Sequence, residues 1–177
     1  MRRIAPLITG GAALAALASP ALAQNTATAT ATGSATIIQA LTISKTADLG
    51  FGTIVKPTGA SNNTVVVSTA GVRSISGTGN AVAANGTGVS NAAFLVQGEG
   101  AQHFSVSLPA NFSMTAGTNS LVVTTTNNLG GGTTGQLSGS IGAQGSLTLA
   151  VGGSFVLASS TVSGAYQGSL VVSVAYN

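Results

Sequence analysis

The stretch AYQGSLVVSVAYN, residues 165–177, decides the fold of this chain. Starting one residue earlier, every second position falls on one mainly apolar face: Gly164, Tyr166, Gly168, Leu170, Val172, Val174 and Tyr176. Strict alternation over this length is typical of a β-strand with one buried face. No charged residue or proline follows Gly164, and a long apolar edge strand aggregates unless something pairs with it. We therefore expect either another strand of the chain or a partner to cover this ribbon.

The first residues predict export. Arg2 and Arg3 precede an apolar run over residues 7–17, and Ala21-Leu22-Ala23 forms a cleavage pattern ahead of Gln24. This order is typical of a secretory signal peptide, residues 1–23, and the run is too short to span a bilayer. We expect passage through the inner membrane, transit through the periplasm and a final place at the cell surface or outside the cell, without stable membrane insertion.

The composition limits the classes of partner that this protein is expected to bind. Cleavage after Ala23 would leave 154 residues, enough for one domain with a core. Their charged side chains would be three cations and two anions, a net charge of +1: Lys45, Lys56, Arg73, Asp48 and Glu99. So little charge argues against a nucleic-acid partner and favours association with other protein. The chain has no cysteine, so its stability must come from core burial and from partners.

Short β-branched runs alternate with clusters of Gly, Asn, Ser and Thr, a pattern typical of an all-β sandwich or barrel. The predicted strands are residues 36–44, 49–55, 64–68, 72–76, 93–97, 103–108, 120–126, 146–151, 154–159 and 168–176. Gly152-Gly153 is predicted to form a hairpin turn, and Gly98-Glu99-Gly100 a second turn. Residues 77–90 and 127–144 are predicted to be long, solvent-facing loops.

Residues 24–34 are predicted to be an extended N-terminal arm preceding the sandwich domain, residues 35–177. The arm repeats threonine and alanine with period two, and its candidate pairing residues are Thr26, Ala27, Thr28, Ala29, Thr30 and Ala31. Two interpretations stay open: a disordered low-complexity tail, or a strand that adds to a sheet edge through its small alanine face.

The residue types needed for catalysis are scarce. His103, Asp48 and Glu99 are the only candidates for acid–base or triad chemistry in residues 24–177, and none lies in a nucleophile-elbow or comparable motif. No cluster of His and Cys, and no run of acidic residues, offers a zinc or calcium site. The sequence therefore predicts a protein that is not an enzyme and has no cofactor and no metal.

Several segments together resemble secreted bacterial domains of unknown function related to spore-coat-U proteins and to chaperone–usher pilins. The resemblance rests on IIQALTI at 37–43, LGFG at 49–52, GVR at 71–73, residues 93–98, and the final GAYQG and LVVSVAY segments. Pilins of that class also end in an alternating strand with a penultimate aromatic and a glycine fourteenth from the end. Tyr176 and Gly164 occupy those positions here.

This resemblance implies an incomplete immunoglobulin-like sandwich that lacks one strand, with an apolar groove beside the last strand. A periplasmic chaperone would fill the groove first, and the arm of the next subunit would replace it after an outer-membrane usher receives the complex. The groove row would then be Gly164, Tyr166, Leu170, Val172, Val174 and Tyr176, and the donor face Ala27, Ala29 and Ala31. Burying three alanine side chains contributes only roughly 1–3 kcal/mol, so the inserting segment is expected to extend toward Ile37.

The leading hypothesis is a structural subunit of a surface fibre or pilus, assembled by donor-strand exchange with copies of itself or related subunits. The alternative is a self-contained secreted β-sandwich that serves as a matrix or adhesion module. Functional amyloid is a third interpretation, because the composition is polar, glycine-rich and poor in charge.

Overall fold

The computed structural model describes residues 26–84 and 86–177, and within them all regular secondary structure is β-strand. The prediction of an all-β, sandwich-like fold is therefore confirmed. The predicted signal peptide lies outside the described residues. The chain divides into Met1–Ala35 and Thr36–Asn177. In the first unit, residues 26–35 are exposed and contain no strand.

The described residues form fourteen strands. They are β1 (Thr42–Ala47), β2 (Gly50–Phe51), β3 (Ile54–Val55), β4 (Asn63–Val67), β5 (Arg73–Gly77), β6 (Val82–Ala83), β7 (Val89–Ser90), β8 (Ala92–Glu99), β9 (His103–Ser107), β10 (Asn111–Ala116), β11 (Asn119–Asn127), β12 (Thr134–Gln136), β13 (Gln144–Leu157) and β14 (Ser173–Tyr176).

The strands pair antiparallel in one large sheet and several smaller ones. The 7-stranded sheet has the order β1-β8-β13-β11-β10, with β4 added to β13 and β5 added to β4. A 3-stranded sheet has the order β12-β9-β14, and the short pairs β2-β7 and β3-β6 complete the structure. β1 therefore ends one sheet and β14 ends another.

Every second side chain along the strands points into the core. In β8 and β4, buried residues alternate with half-buried ones, as expected for strands with one face on a core. One cluster of buried residues joins β8, β9 and the first half of β13, and includes Phe94, Phe104 and Leu149. A second cluster joins β4 to the end of β13, where the rings of Phe51 and Phe155 meet edge to face at 4.9 Å.

The predicted hairpin at Gly152-Gly153 is wrong. β13 runs straight through both glycines for 14 residues. On that path it pairs first with β8 and then with β4, while β11 pairs with its middle. A Cβ on Gly153 would lie 2.8 Å from Val123 Cγ1 and 3.0 Å from Leu49 Cδ2, so the missing side chain serves close packing and not a turn.

The predicted turn at Gly98-Glu99-Gly100 also needs correction. Gly98 and Glu99 are the last residues of β8, and the chain reverses after them. Glu99 is only 3% exposed and does not lie at a solvent-facing hairpin tip. Sequence reasoning missed this because a glutamate between two glycines is typical of a turn.

The two predicted long loops are more ordered than their composition indicates. Residues 77–90 contain β6 and β7, and residues 127–144 contain β12 and the fully buried Leu137. The Arg73 guanidinium fixes the β2–β3 turn, because it donates to the carbonyls of Phe51, Thr53 and Ala84 at 2.8, 3.1 and 2.9 Å. Side-chain hydrogen bonds, and not long strands, therefore hold these segments in place.

Candidate functional site

One edge of the C-terminal ribbon, residues 164–177, lies along β9 and β10. β14 pairs with β9 from Ser173 opposite Ser107 to Tyr176 opposite Phe104. Further back, Gln167 exchanges two backbone hydrogen bonds with Thr115, at 2.7 and 3.0 Å. Within the described chain, no strand pairs with the other edge of the ribbon.

The predicted strand at 168–176 is longer than the observed one, which covers only Ser173–Tyr176. Between Gln167 and Ser173, the backbone of residues 168–172 makes no hydrogen bond to any part of the chain that the structure describes. A strand without a neighbour cannot form a ladder. Residues 168–172 therefore have the sequence pattern of a strand, but the described residues of a single copy provide no strand that pairs with them.

The alternating face of the ribbon points at the core but does not reach full burial. Tyr166, Leu170, Val172, Val174 and Tyr176 are half-buried, and the residues between them are exposed. Gly164, the first residue of the row, is exposed. The last four of the half-buried set pack against the cluster around Phe94 and Phe104. These side chains cover the core from one side only.

β1 forms the opposite wall. It pairs with β8 along one edge, and none of the described strands pairs with its other edge. Leu41 and Ile43 on this wall, together with Leu49, contact the same core cluster as the ribbon. Two unpaired strand edges therefore face a shared set of apolar side chains. We call the space between them the groove.

The groove opens into a cavity of about 590 Å³ next to Tyr166 and Leu170. Its lining combines apolar residues, among them Leu49, Phe94, Phe112 and Met114, with the charged and exposed Lys45 and Asp48. A second cavity of about 540 Å³ shares Leu49, Met114 and Tyr166 with the first. The two cavities are therefore neighbours, with these three residues between them.

A hydrogen-bonded cluster closes the other end of the groove. The Tyr176 hydroxyl accepts from the Glu99 amide at 2.7 Å and donates to the Gln39 carbonyl at 2.9 Å. Glu99 Oε2 accepts from the Gln39 amide at 3.1 Å, and Oε1 accepts from the Gly142 amide. We call Gln39, Glu99 and Tyr176 the clamp, because they fix the chain just before β1 to the end of the ribbon.

Gly98 makes the clamp possible. A Cβ at this position would collide with the Tyr176 hydroxyl, and it would lie 3.1 Å from Cδ1 of both Leu41 and Leu137. The tyrosine side chain therefore crosses β8 at the one residue that leaves room for it.

The arm residues Thr26, Ala27, Thr28, Ala29, Thr30 and Ala31 are exposed, and no strand is present between residues 26 and 41. Ile37 is 93% exposed and Ile38 41%, although both are large apolar residues. The predicted strand at 36–44 thus begins only at Thr42.

The three residues considered for catalysis occupy ordinary positions. His103 is exposed at the start of β9. Asp48 is exposed and forms an ion pair with Lys45 at 2.6 Å. Both carboxylate oxygens of Glu99 accept hydrogen bonds from backbone amides, those of Gln39 and Gly142.

Sequence reasoning missed part of the site. The clamp residues Gln39 and Glu99 carry no local sequence pattern that announces their contact, because they lie 60 residues apart. Phe112 and Met114 in the cavity could have been found, since they alternate with polar residues along β10. That alternation predicts a half-buried strand by the rule applied elsewhere in the chain.

A family match covers the sandwich and the ribbon. The profile described as Domain of unknown function (DUF4402) matches residues 41–176. The chain belongs to this family. No curated protein and no solved structure matches the DUF4402 chain. In the described part of the chain, no helix is long and apolar enough to cross a membrane.

Proposed function

We propose that this DUF4402 protein is a structural subunit of a bacterial surface fibre or pilus, in which the arm of one copy adds as a strand to the groove of the next. The observation that carries the proposal is the unpaired edge of the ribbon, where residues 168–172 have no backbone partner in the described chain. Backbone amides and carbonyls beside an apolar surface need partners. A strand from another molecule, added along the groove, supplies partners for every second residue, namely those whose backbone groups point to that edge.

The chemistry of the groove fits strand addition. In this mode of recognition, backbone hydrogen bonds provide affinity, and pockets for alternate side chains provide selectivity. The ribbon offers a backbone edge, and the cavity beside Tyr166 offers a pocket lined in part by apolar side chains. The arm offers an exposed segment with period-two alternation of threonine and alanine. These two features of one chain support strand exchange between copies.

The resemblance to chaperone–usher pilins and spore-coat-U proteins adds the remaining parts of the proposal. It implies a periplasmic chaperone that protects the groove before assembly, an outer-membrane usher, and a final location at the cell surface. After residue 23 the chain carries three cations and two anions, a net charge of only +1. So low a net charge favours such an assembly over free diffusion.

The experiment compares two charge variants of the arm in the exported protein. Ala29→Asp with Ala31→Asp places carboxylates on the alanine face, and Thr28→Asp with Thr30→Asp places the same charge on the threonine face. We expect the alanine-face variant to remain monomeric by size exclusion with light scattering, because a carboxylate buried in an apolar groove is costly. The threonine-face variant should assemble.

Deleting residues 24–33 should abolish assembly while leaving chaperone binding intact. Normal fibres from the truncated chain would refute the donor role of the arm. A stable monomer from the intact chain, with or without a chaperone, would favour a self-contained matrix or adhesion module instead.

A further inference from the structure

The cavity beside the ribbon is much larger than the alanine methyl groups of the arm. At about 590 Å³, it exceeds the volume per water molecule in the liquid, about 30 Å³, many times over. Phe94, Phe112 and Met114 line it. A Thr-Ala repeat alone would leave most of this space unfilled, so a bulky side chain that packs on these apolar residues must enter it for tight binding.

Ile37 has the properties of that side chain. It stands at an odd position, as do Ala27, Ala29 and Ala31, so in an extended strand it shares their face. Its 93% exposure is the largest among the exposed large apolar residues of the described chain. Leu41 also stands at an odd position, four residues later, but it already packs on the core of its own domain. Ile37 is therefore the bulky residue of this face that is still without a pocket.

The clamp prevents Ile37 from reaching the cavity of its own domain. Gln39 is hydrogen-bonded to Tyr176 and Glu99, and two residues of extended chain span at most about 7 Å. Along the ribbon, Leu170 lies six residues before Tyr176, roughly 20 Å at 3.3 Å per residue. The pocket that Ile37 fills must belong to a second copy.

We propose that Ile37 is the anchor of the donor strand and occupies the Tyr166 cavity of the next copy, with the arm antiparallel to the ribbon. This inference rests on the proposed function. Antiparallel addition with Ile37 opposite Tyr166 places Ala31 opposite Val172, so residues 31–37 lie along the open part of the groove, away from the clamp. The clamp end, where Gln39 of the same copy is held to Tyr176, stays closed.

The first test substitutes the anchor and uses its neighbour as the matched control. Ile37→Ala should weaken self-assembly at least about tenfold, because the loss of most of a buried isoleucine side chain acts directly on affinity. Ile38→Ala removes the same atoms from the opposite face and should change assembly less than threefold. Both residues are exposed in the single copy, so neither change should affect folding.

The second test reads the register by disulfide trapping, since the chain has no native cysteine. Full-length exported Ala31→Cys is mixed under oxidation with Val172→Cys, or with Leu170→Cys as the control shifted by two residues. The inferred register predicts crosslinked dimers from the Val172→Cys mixture and few from the Leu170→Cys mixture, because a disulfide requires directly opposed residues.

The outcomes separate this inference from the proposed function. If the wild type assembles but Ile37→Ala and Ile38→Ala behave alike, the anchor assignment is wrong and the fibre proposal stands. A dominant Leu170→Cys crosslink would overturn the register. If the wild type forms no oligomer and neither mixture crosslinks, the anchor and the proposed function both fall.

Discussion

At the residue scale, the side chain of Tyr176 makes both an apolar contact and hydrogen bonds. Its ring packs on the core cluster around Phe104, and its hydroxyl joins the ends of two distant segments through Glu99 and Gln39. A buried tyrosine usually needs a partner for its hydroxyl, and here that partner is the backbone on both sides. The penultimate residue of the chain therefore fixes both the end of the ribbon and the start of β1.

Tyr176→Phe keeps the ring and removes these two hydrogen bonds. We expect the free energy of unfolding to fall by about 1–3 kcal/mol, because the part-buried Glu99 amide is left without its acceptor. Tyr166→Phe is the matched control, since its hydroxyl makes one exposed bond to the Val162 carbonyl, and it should cost less than about 1 kcal/mol. Equal losses in urea denaturation of the two variants would contradict the role assigned to the clamp.

At the scale of elements, β13 organises the large sheet. It is the only described strand that pairs with three others, β4, β8 and β11. Gly152 and Gly153 lie where these partners change over. A Cβ on Gly152 would collide with the Val67 carbonyl, so neighbouring backbone fills the space of a side chain there as well.

Gly153→Ala should destabilise the domain by about 1–3 kcal/mol, because the added methyl group overpacks the core against Val123, Leu49 and Phe51. The control is Gly59→Ala, where a Cβ would meet nothing within 4 Å. That change should alter stability by less than about 0.5 kcal/mol. Thermal and urea denaturation measure both, and a neutral Gly153→Ala would show that the glycine is not required for packing.

The sequence indicated elements well where a single strand carried its own pattern, and poorly where a contact depended on distant residues. Alternation identified the half-buried face of the ribbon from Tyr166 to Tyr176, and β-branched runs identified β4 and β8. Gly152-Gly153 misled because glycine pairs signal both turns and close packing, and only the partner strands tell these apart. The burial of Glu99 depends on Gln39 and Gly142, so no local pattern reveals it.

At the scale of the whole molecule, two sheets share one core and leave one gap between their edges. β1 and the ribbon each present an unpaired edge, and the clamp ties them together only at the Tyr176 end. Toward Tyr166 the walls separate around the cavity. We propose that a strand of another copy enters this gap, which would make the protein a unit of an assembly.

The amides of Leu170 and Val172 test this account most directly. Amide hydrogen exchange should be measured for the monomer and for assembled protein, with Gln167 as the internal control, since its amide donates to the Thr115 carbonyl at 3.0 Å within one copy. Our account predicts fast exchange at Leu170 and Val172 in the monomer, strong protection of both in the assembly, and protection of Gln167 in both states. Strong protection of Leu170 and Val172 already in the monomer, or none after assembly, would contradict the claim that a second molecule completes this fold.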